Sequence, residues 1–392
     1  MNTQISFLEG SYTLIHIPLN LYSALLQPVL RVFLPHTQTL GSSRDGPEHE
    51  LQGLSLDSQQ HGFLNISVTP IEVSIVCHSS WAKNVFEPFI SKLPKEAAKT
   101  IELSKHDYMI LSVISAGLDA AGRVIELTSP LALAGIPIFF ISTYYSDFIL
   151  VPAKERDNVV KALDDKGFEL SENQSQFVNA SAYGGRTRTP SASACSPPRT
   201  PPPSNLAELQ TRAFDLLKKR NVTPRVDDDL ELVQCSGREM FAGTDDVYST
   251  RPSSSRHGSI QRRTWVDNID TKLYTCVISA LVSQPRFMSI TLAQDDPPSL
   301  LLDRTLLGLF GDSLVGDTDA RHIPIFLDLV SLPQEVTGIV CGVAGRLVED
   351  MQMAESSELS YLSTARAGAV ILPEAQSKRA LDILKPLLSK EG

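Results

Sequence analysis

Cysteine, aromatic side chains and positive charge are all scarce in this 392-residue chain, and each shortage removes a class of protein. Five cysteines, Cys77, Cys195, Cys235, Cys276 and Cys341, are odd in number, widely spaced and form no CxxC pair. That argues against a disulfide framework or a zinc site, so a reducing cytoplasm is the expected location. With 45 acids against 35 bases the formal net charge is −10, and the overall field repels phosphate. Nucleic acid is therefore not an expected partner. No apolar run suits a membrane span, because the stretch from Tyr12 to Leu34 is broken by Pro18, Asn20, Gln27, Pro28 and Arg31. No basic residue precedes it, as a signal peptide would require. Catalytic signatures are missing too: there is no GxSxG, no HExxH and no P-loop. His16 and His106 stand without obvious partners, and Cys341 has no base. The GxxxGxxG spacing of Gly338, Gly342 and Gly345 is wrong for a dinucleotide loop. A non-enzymatic protein without cofactor or metal is expected.

Proline, by contrast, is plentiful, with 25 residues against 22 glycines. Six of them fall in GGRTRTPSASACSPPRTPPPS, from Gly184 to Ser204, which contains no acid. Such a stretch buries too little apolar surface to offset its ordering entropy. A second polar stretch runs from Asn221 to Arg263. Between the two, Leu206, Leu209, Ala213, Leu216 and Leu217 recur at helical spacing behind Asn205, a suitable N-cap. A shorter polar insertion occupies residues 36–61.

The two remaining lobes end in similar segments. At a constant offset of 221 residues, Ser142, Thr143 and Pro152 fall on Ser363, Thr364 and Pro373. Both copies read as strand, Ser-Thr turn, apolar strand, proline and amphipathic helix. Upstream, Tyr108–Ile114 and Val336–Val340 each read as a strand leading into a helix, which makes each unit β-α-β-β-α, the order of a ferredoxin-like module. Less regular versions precede them. Tyr12–Ile17, a helix over 21–33, Phe63–Val68 and Glu72–Cys77 fit the first lobe; Tyr274–Val282, Met288–Ala293 and Ser299–Leu302 fit the second as strands.

At ISTYYSDFILV, at TGIVCGVAGRLVEDMQMAESSELSYLST and at FLNISVTPIEVSIV the chain resembles the CASTOR family, GATS-like ACT-domain proteins that sense arginine in the cytosol upstream of TOR signalling. The resemblance covers most of both lobes and fails in the linker. It implies an α+β fold of tandem ACT modules (β-α-β-β-α-β): a first module over 1–104, a second over 105–170, a low-complexity linker over 171–265 with one helix near 205–221, a third module over 266–335 and a fourth over 336–392. It further implies a homodimer that holds an amino acid between its second and fourth modules and binds a GATOR-like regulatory complex.

Carried over by position, the family's partner-contacting residues are Tyr144 and Asp147, with Tyr145 beside them. The alternative for Asp147 is a backbone-bonding turn residue. The ligand set is Ile138, Thr337, Gly338, Ile339, Val340 and Thr364, where amides at a helix start suit a carboxylate. Pro137, also in the facing segment, has no N–H to donate. The family's Thr-Phe-x-Phe-Asp segment reads Thr364, Ala365, Arg366, Ala367, Gly368, so the guanidinium-pairing acid is absent and arginine is not the expected ligand. A smaller neutral or acidic amino acid, or no ligand at all, remains. If the pocket is degenerate, the chain is a ligand-independent scaffold; a regulatory domain of amino-acid metabolism is a further alternative. In the linker, Thr189, Ser196 and Thr200 precede prolines and Ser259 follows Arg256 by three, which makes them candidate phosphorylation sites.

Overall fold

The computed structural model describes residues 3–34, 62–115, 122–171, 202–227, 229–238, 270–294, 296–333, 335–354 and 357–389. The polar insertion, the proline-rich core of the linker and the four candidate phosphorylation sites lie outside these residues.

The first part of the chain forms strands β1 (Thr3–Phe7), β2 (Tyr12–Ile17), β3 (Phe63–Val68), β4 (Val73–His78), β5 (Glu102–Leu103), β6 (Tyr108–Ser115), β7 (Phe139–Ser142), β8 (Asp147–Pro152) and β9 (Glu169–Leu170). Its helices are α1 (Tyr22–Phe33), α2 (Arg123–Leu133) and α3 (Arg156–Asp164), with a helical stretch over 79–90. Helix α4 (Leu206–Lys219) follows. The second part forms β10 (Pro224–Arg225), β11 (Leu232–Gly237), α5 (Thr271–Val282), β12 (Met288–Ala293), β13 (Ser299–Asp303), β14 (Leu314–Val315), β15 (His322–Asp328), α6 (Ile339–Met351), β16 (Ser360–Ser363), β17 (Ala367–Pro373) and α7 (Glu374–Leu388).

Hydrogen bonding arranges the strands in two broad sheets. One runs β5-β2-β4-β3-β12-β13-β11-β14, the other β9-β1-β6-β8-β7-β16-β17-β15-β10, and every pair is antiparallel except β1 with β9. Single pairings, Tyr12 with Tyr108 and Leu232 with His322, tie the sheets together at their margins.

Strand alternation explains the layers. On β2, Ile15 and Ile17 turn outward under α1, while Tyr12 and Leu14 turn toward the other sheet. On β8, Ile149 and Val151 face helices while Phe148 and Leu150 face inward. The result is helix, sheet, sheet, helix: α1 and α5 cover the first sheet, and α2, α3, α4, α6 and α7 cover the second. Phe63 meets Phe148 across the inner layer with ring centroids 4.9 Å apart, a contact worth about 0.5–1.5 kcal/mol beyond its burial.

Several sequence expectations are corrected. Residues 274–282 are helical, because Leu273, Cys276, Val277, Ala280 and Leu281 form one buried stripe and the Asp270 side chain accepts from the Lys272 amide. Residues 336–340 are not a strand: α6 starts at Ile339 behind Gly338, whose φ of 82° is left-handed. The strand of that unit is β15, disguised by Pro324. Among the described residues, 323–325 have no strand neighbour on the edge between β10 and β11, and a proline is tolerated there. The 171–265 segment is not all linker, since β11 is an interior strand whose Gln234 and Ser236 made it read as polar. Strand β1 pairs with β6, so residues 3–7 join the sheet of the second unit, not the first.

Candidate functional site

The repeat found in the sequence lies on a local two-fold axis. Ile141 of β7 pairs with Leu362 of β16, and these residues are 221 positions apart, the offset of the repeat. On either side the contacts are reciprocal: the Phe140 amide donates to Ser363 Oγ at 2.9 Å and the Tyr361 amide donates to Ser142 Oγ at 3.0 Å. Each Ser-Thr turn closes alike, with the Thr143 amide donating to Ser146 O and the Thr364 amide to Ala367 O. The serines are therefore the seam between the two copies, and the threonines shape the turns.

The first sheet grips each turn differently. Ser299 Oγ accepts from the Tyr144 amide at 2.8 Å, and Gln234 Nε2 donates to Thr143 O at 2.8 Å. Opposite, Ser74 Oγ accepts from the Ala365 amide at 3.0 Å, and Glu72 is added. Glu72 is fully buried. Its Oε1 accepts from Thr364 Oγ1 and the Arg366 amide, each at 2.5 Å, and its Oε2 lies 2.5 Å from His16 Nδ1. Arg366 in turn pairs with Glu102. The carboxylate of one unit thus clamps the turn of another. Sequence offered one signal, an acid inside an apolar strand segment, and nothing to name its partners.

The predicted ligand residues come together in part. Ile138, Ile339, Val340 and Thr364 line a cavity of about 60 Å³ with Tyr361, Leu332 and other apolar groups. That is room for about two water molecules, far below the 300–1,000 Å³ of ordinary ligand pockets. Thr337 and Gly338 flank it without lining it. A side chain at Gly338 would meet Leu209 of α4 at 3.1 Å, so α4 covers this end of α6. The glycines 342 and 345 face Ala213 and Gln210 of the same helix, which makes the glycine series a close-packing stripe. Cys341, 1% exposed, has its thiol pushed up to about 11 by burial and is an apolar filler there.

Of the partner residues, Tyr144 and Tyr145 are exposed, with rings 4.8 Å apart, and Tyr145 lines one surface hollow with exposed Ile114 and Val315. Asp147 is not available to a partner: it is 1% exposed, and Arg123 Nε lies 2.6 Å from its Oδ2. Burial lifts its carboxyl from the usual 3.8 to about 6, against the opposing pull of Arg123 and Ser142. With the folded value raised, Asp147 contributes stability that is complete below pH 3.8 and is lost as pH rises toward 6. Asp147→Asn should therefore flatten this part of the stability profile, measured by thermal unfolding at closely spaced pH. An unchanged profile would show that Asp147 titrates normally.

Helices packed on one face of each antiparallel sheet, in repeated strand-helix-strand-strand-helix order, define a ferredoxin-like α+β protein. Residues 103–165, from the end of β5 through α3, match the ACT domain family, so the chain carries an ACT domain there. Among solved structures it is similar to a Synechocystis aspartate kinase, at 11% identity and TM-score 0.30, covering 99% of this chain and 57% of that one. A Porphyromonas gingivalis putative C-terminal regulatory domain of aspartate kinase is 13% identical over 43% of this chain and 96% of that one, with TM-score 0.24. An Agobacterium tumefaciens protein is 20% identical over 44% of this chain and 93% of that one, with TM-score 0.26. No curated protein matches the chain. Among the described residues, no helix is long and apolar enough to cross a membrane.

Proposed function

We propose that this is a non-enzymatic cytoplasmic regulatory protein of four ACT modules, similar to the CASTOR sensors of TOR signalling, which alters its hold on a protein partner when an amino acid occupies the interface of the second and fourth modules. The observation that carries this reading is the reciprocal Ser142 and Ser363 bonding, which sets two ST turns side by side about one axis. Ligand sites favour such module interfaces. Arginine is disfavoured as the ligand on steric as well as chemical grounds. The place of the guanidinium-pairing acid is Gly368, where any side chain would collide with the buried Tyr361 hydroxyl. The exposed pair Tyr144 and Tyr145 is the expected surface for a GATOR-like partner, and a homodimer is the expected assembly.

A second reading, a ligand-independent scaffold, is favoured by the small size of the 60 Å³ cavity beside Val340. Titration calorimetry of the full chain against the twenty amino acids, followed by partner capture with and without any binder, separates the two. The sensor reading expects one amino acid other than arginine to bind and to change capture. Tight arginine binding would overturn the specificity argument, and silence with undiminished capture would leave the scaffold. Tyr145→Ala should weaken capture in either case.

A further inference from the structure

A chain with 45 acids against 35 bases gathers cations at one hollow. Lys99, Lys105, Lys154 and Arg366 all line a cavity of about 650 Å³, where the segment from β5 into β6, the end of β8 and the β16–β17 turn come together. That volume lies within the range of small-ligand sites. It is a separate space from the cavity beside Val340, and the two share one wall residue, Pro333.

Two carboxylates line the same hollow, and both are engaged. Glu102 pairs with Arg366, and Glu335 Oε1 stands 4.0 Å from His106 Nε2. Lys99 Nζ donates to Glu96 at 2.9 Å. Lys105 and Lys154 are exposed, come from segments on either side of α2, and have no ion-pair partner among the described residues. Like charges that the fold brings to one cleft repel each other, and they concentrate anions there in spite of the acidic whole. Arg366 is fixed in its place, since its amide donates to Glu72 Oε1 at 2.5 Å and its carbonyl accepts from the Leu329 amide at 2.8 Å.

The rest of the lining is apolar and stiff. Pro137, Pro152 and Pro333 join Ile101 and the ring of Tyr108, which is only 5% exposed. Proline rings and a packed tyrosine have little conformational freedom left to lose on binding. Lysine ammonium groups bind phosphate as point charges, and a stiff apolar wall suits a flat ring. One ligand that meets both has phosphate at one end and an aromatic base at the other.

We propose that this cavity binds a nucleoside phosphate, whose phosphates are taken by Lys105 and Lys154 and whose base lies against the prolines and Tyr108. The inference concerns a second ligand and does not rest on the amino-acid reading above.

The test is calorimetry of the full chain with ADP, GDP, adenosine and inorganic pyrophosphate. Lys105→Gln and Lys154→Gln alter exposed side chains of the cavity, and Lys161→Gln alters an exposed lysine of α3 that does not line it. Thermal unfolding first shows all three folded. ADP or GDP should bind the unaltered chain, about tenfold more weakly in each cavity variant, the scale of one lost charge-assisted hydrogen bond, and equally well in Lys161→Gln. Adenosine, which lacks phosphate, and pyrophosphate, which lacks the base, should each bind at least about tenfold more weakly than ADP. Binding of neither nucleotide would overturn the inference, as would nucleotide binding unchanged in both cavity variants. An equal loss in Lys161→Gln would reduce it to general charge attraction and overturn it too, and adenosine or pyrophosphate binding as tightly as ADP would do the same. The titration with the twenty amino acids is a separate measurement, so failure of either reading leaves the other standing.

Discussion

Glu72→Ala should lower the stability of the folded chain by about 3–5 kcal/mol, the range for breaking one side of a buried charged network. The carboxylate is fully buried and holds three groups at once: His16 Nδ1, Thr364 Oγ1 and the Arg366 amide. Alanine leaves the Arg366 amide with no acceptor, leaves the Thr364 hydroxyl only the Ala367 carbonyl at 3.2 Å, and leaves a hole between the sheets. The unmet amide alone costs about 1–3 kcal/mol when water cannot reach it. Glu72→Gln should fall between wild type and alanine, because its amide oxygen still accepts while the pairing with His16 is weakened. Urea unfolding reads the difference directly as a midpoint shift at constant slope. A loss below about 1 kcal/mol for alanine would show that the turn is held by its own backbone bonds and by Ser74, not by Glu72.

Gly342→Leu should strain or detach α4. A Cβ at this position would stand 2.9 Å from the Cβ of Ala213, and both sit on helices that cannot yield by a rotamer change. Overpacking of this kind costs about 1–3 kcal/mol if the helices stay docked. Detachment instead exposes Leu209, Ala213, Phe214 and Leu217, all buried in the native fold. Burial of each large side chain contributes about 1.5–3 kcal/mol, so strain is the cheaper response, and detachment follows only when strain exceeds that sum. Backbone hydrogen exchange in 206–219 distinguishes them: faster exchange confined to this helix means undocking. Ala213→Gly in the Gly342→Leu background should restore part of the stability by removing the opposing methyl. Unchanged stability and unchanged exchange would mean that α4 does not pack on the glycine stripe.

Much of the local structure was legible because its causes are local. The alternation of Tyr12, Leu14, Ile15 and Ile17 between two faces is a property of six consecutive residues. The N-cap at Asn205, whose side chain accepts from the Glu208 amide, needs only a short polar side chain at the right offset. The errors were local conflicts that tertiary packing resolved. Tyr274–Val282 is rich in β-branched residues and aromatic at one end, and it is helical because one stripe of it is buried under the sheet. Strand β15 was missed because of Pro324, which a free edge excuses. Asp147 looked like a surface acid in a turn, and burial beside Arg123 is invisible until α2 is placed over the hairpin.

By itself the sequence determined that a repeat exists, at an offset of 221 residues, and that its turns are built on Ser-Thr pairs. It determined as well that the acid expected to pair with a guanidinium is missing, since that is a matter of residue identity at Gly368. Only the tertiary structure decided that the copies meet at Ile141 and Leu362, and that the buried Glu72 bonds the Thr364 turn. The physical reason is separation along the chain. Glu72 reaches Thr364 across 292 positions, and such a contact depends on the packing of two sheets rather than on any pattern within one segment.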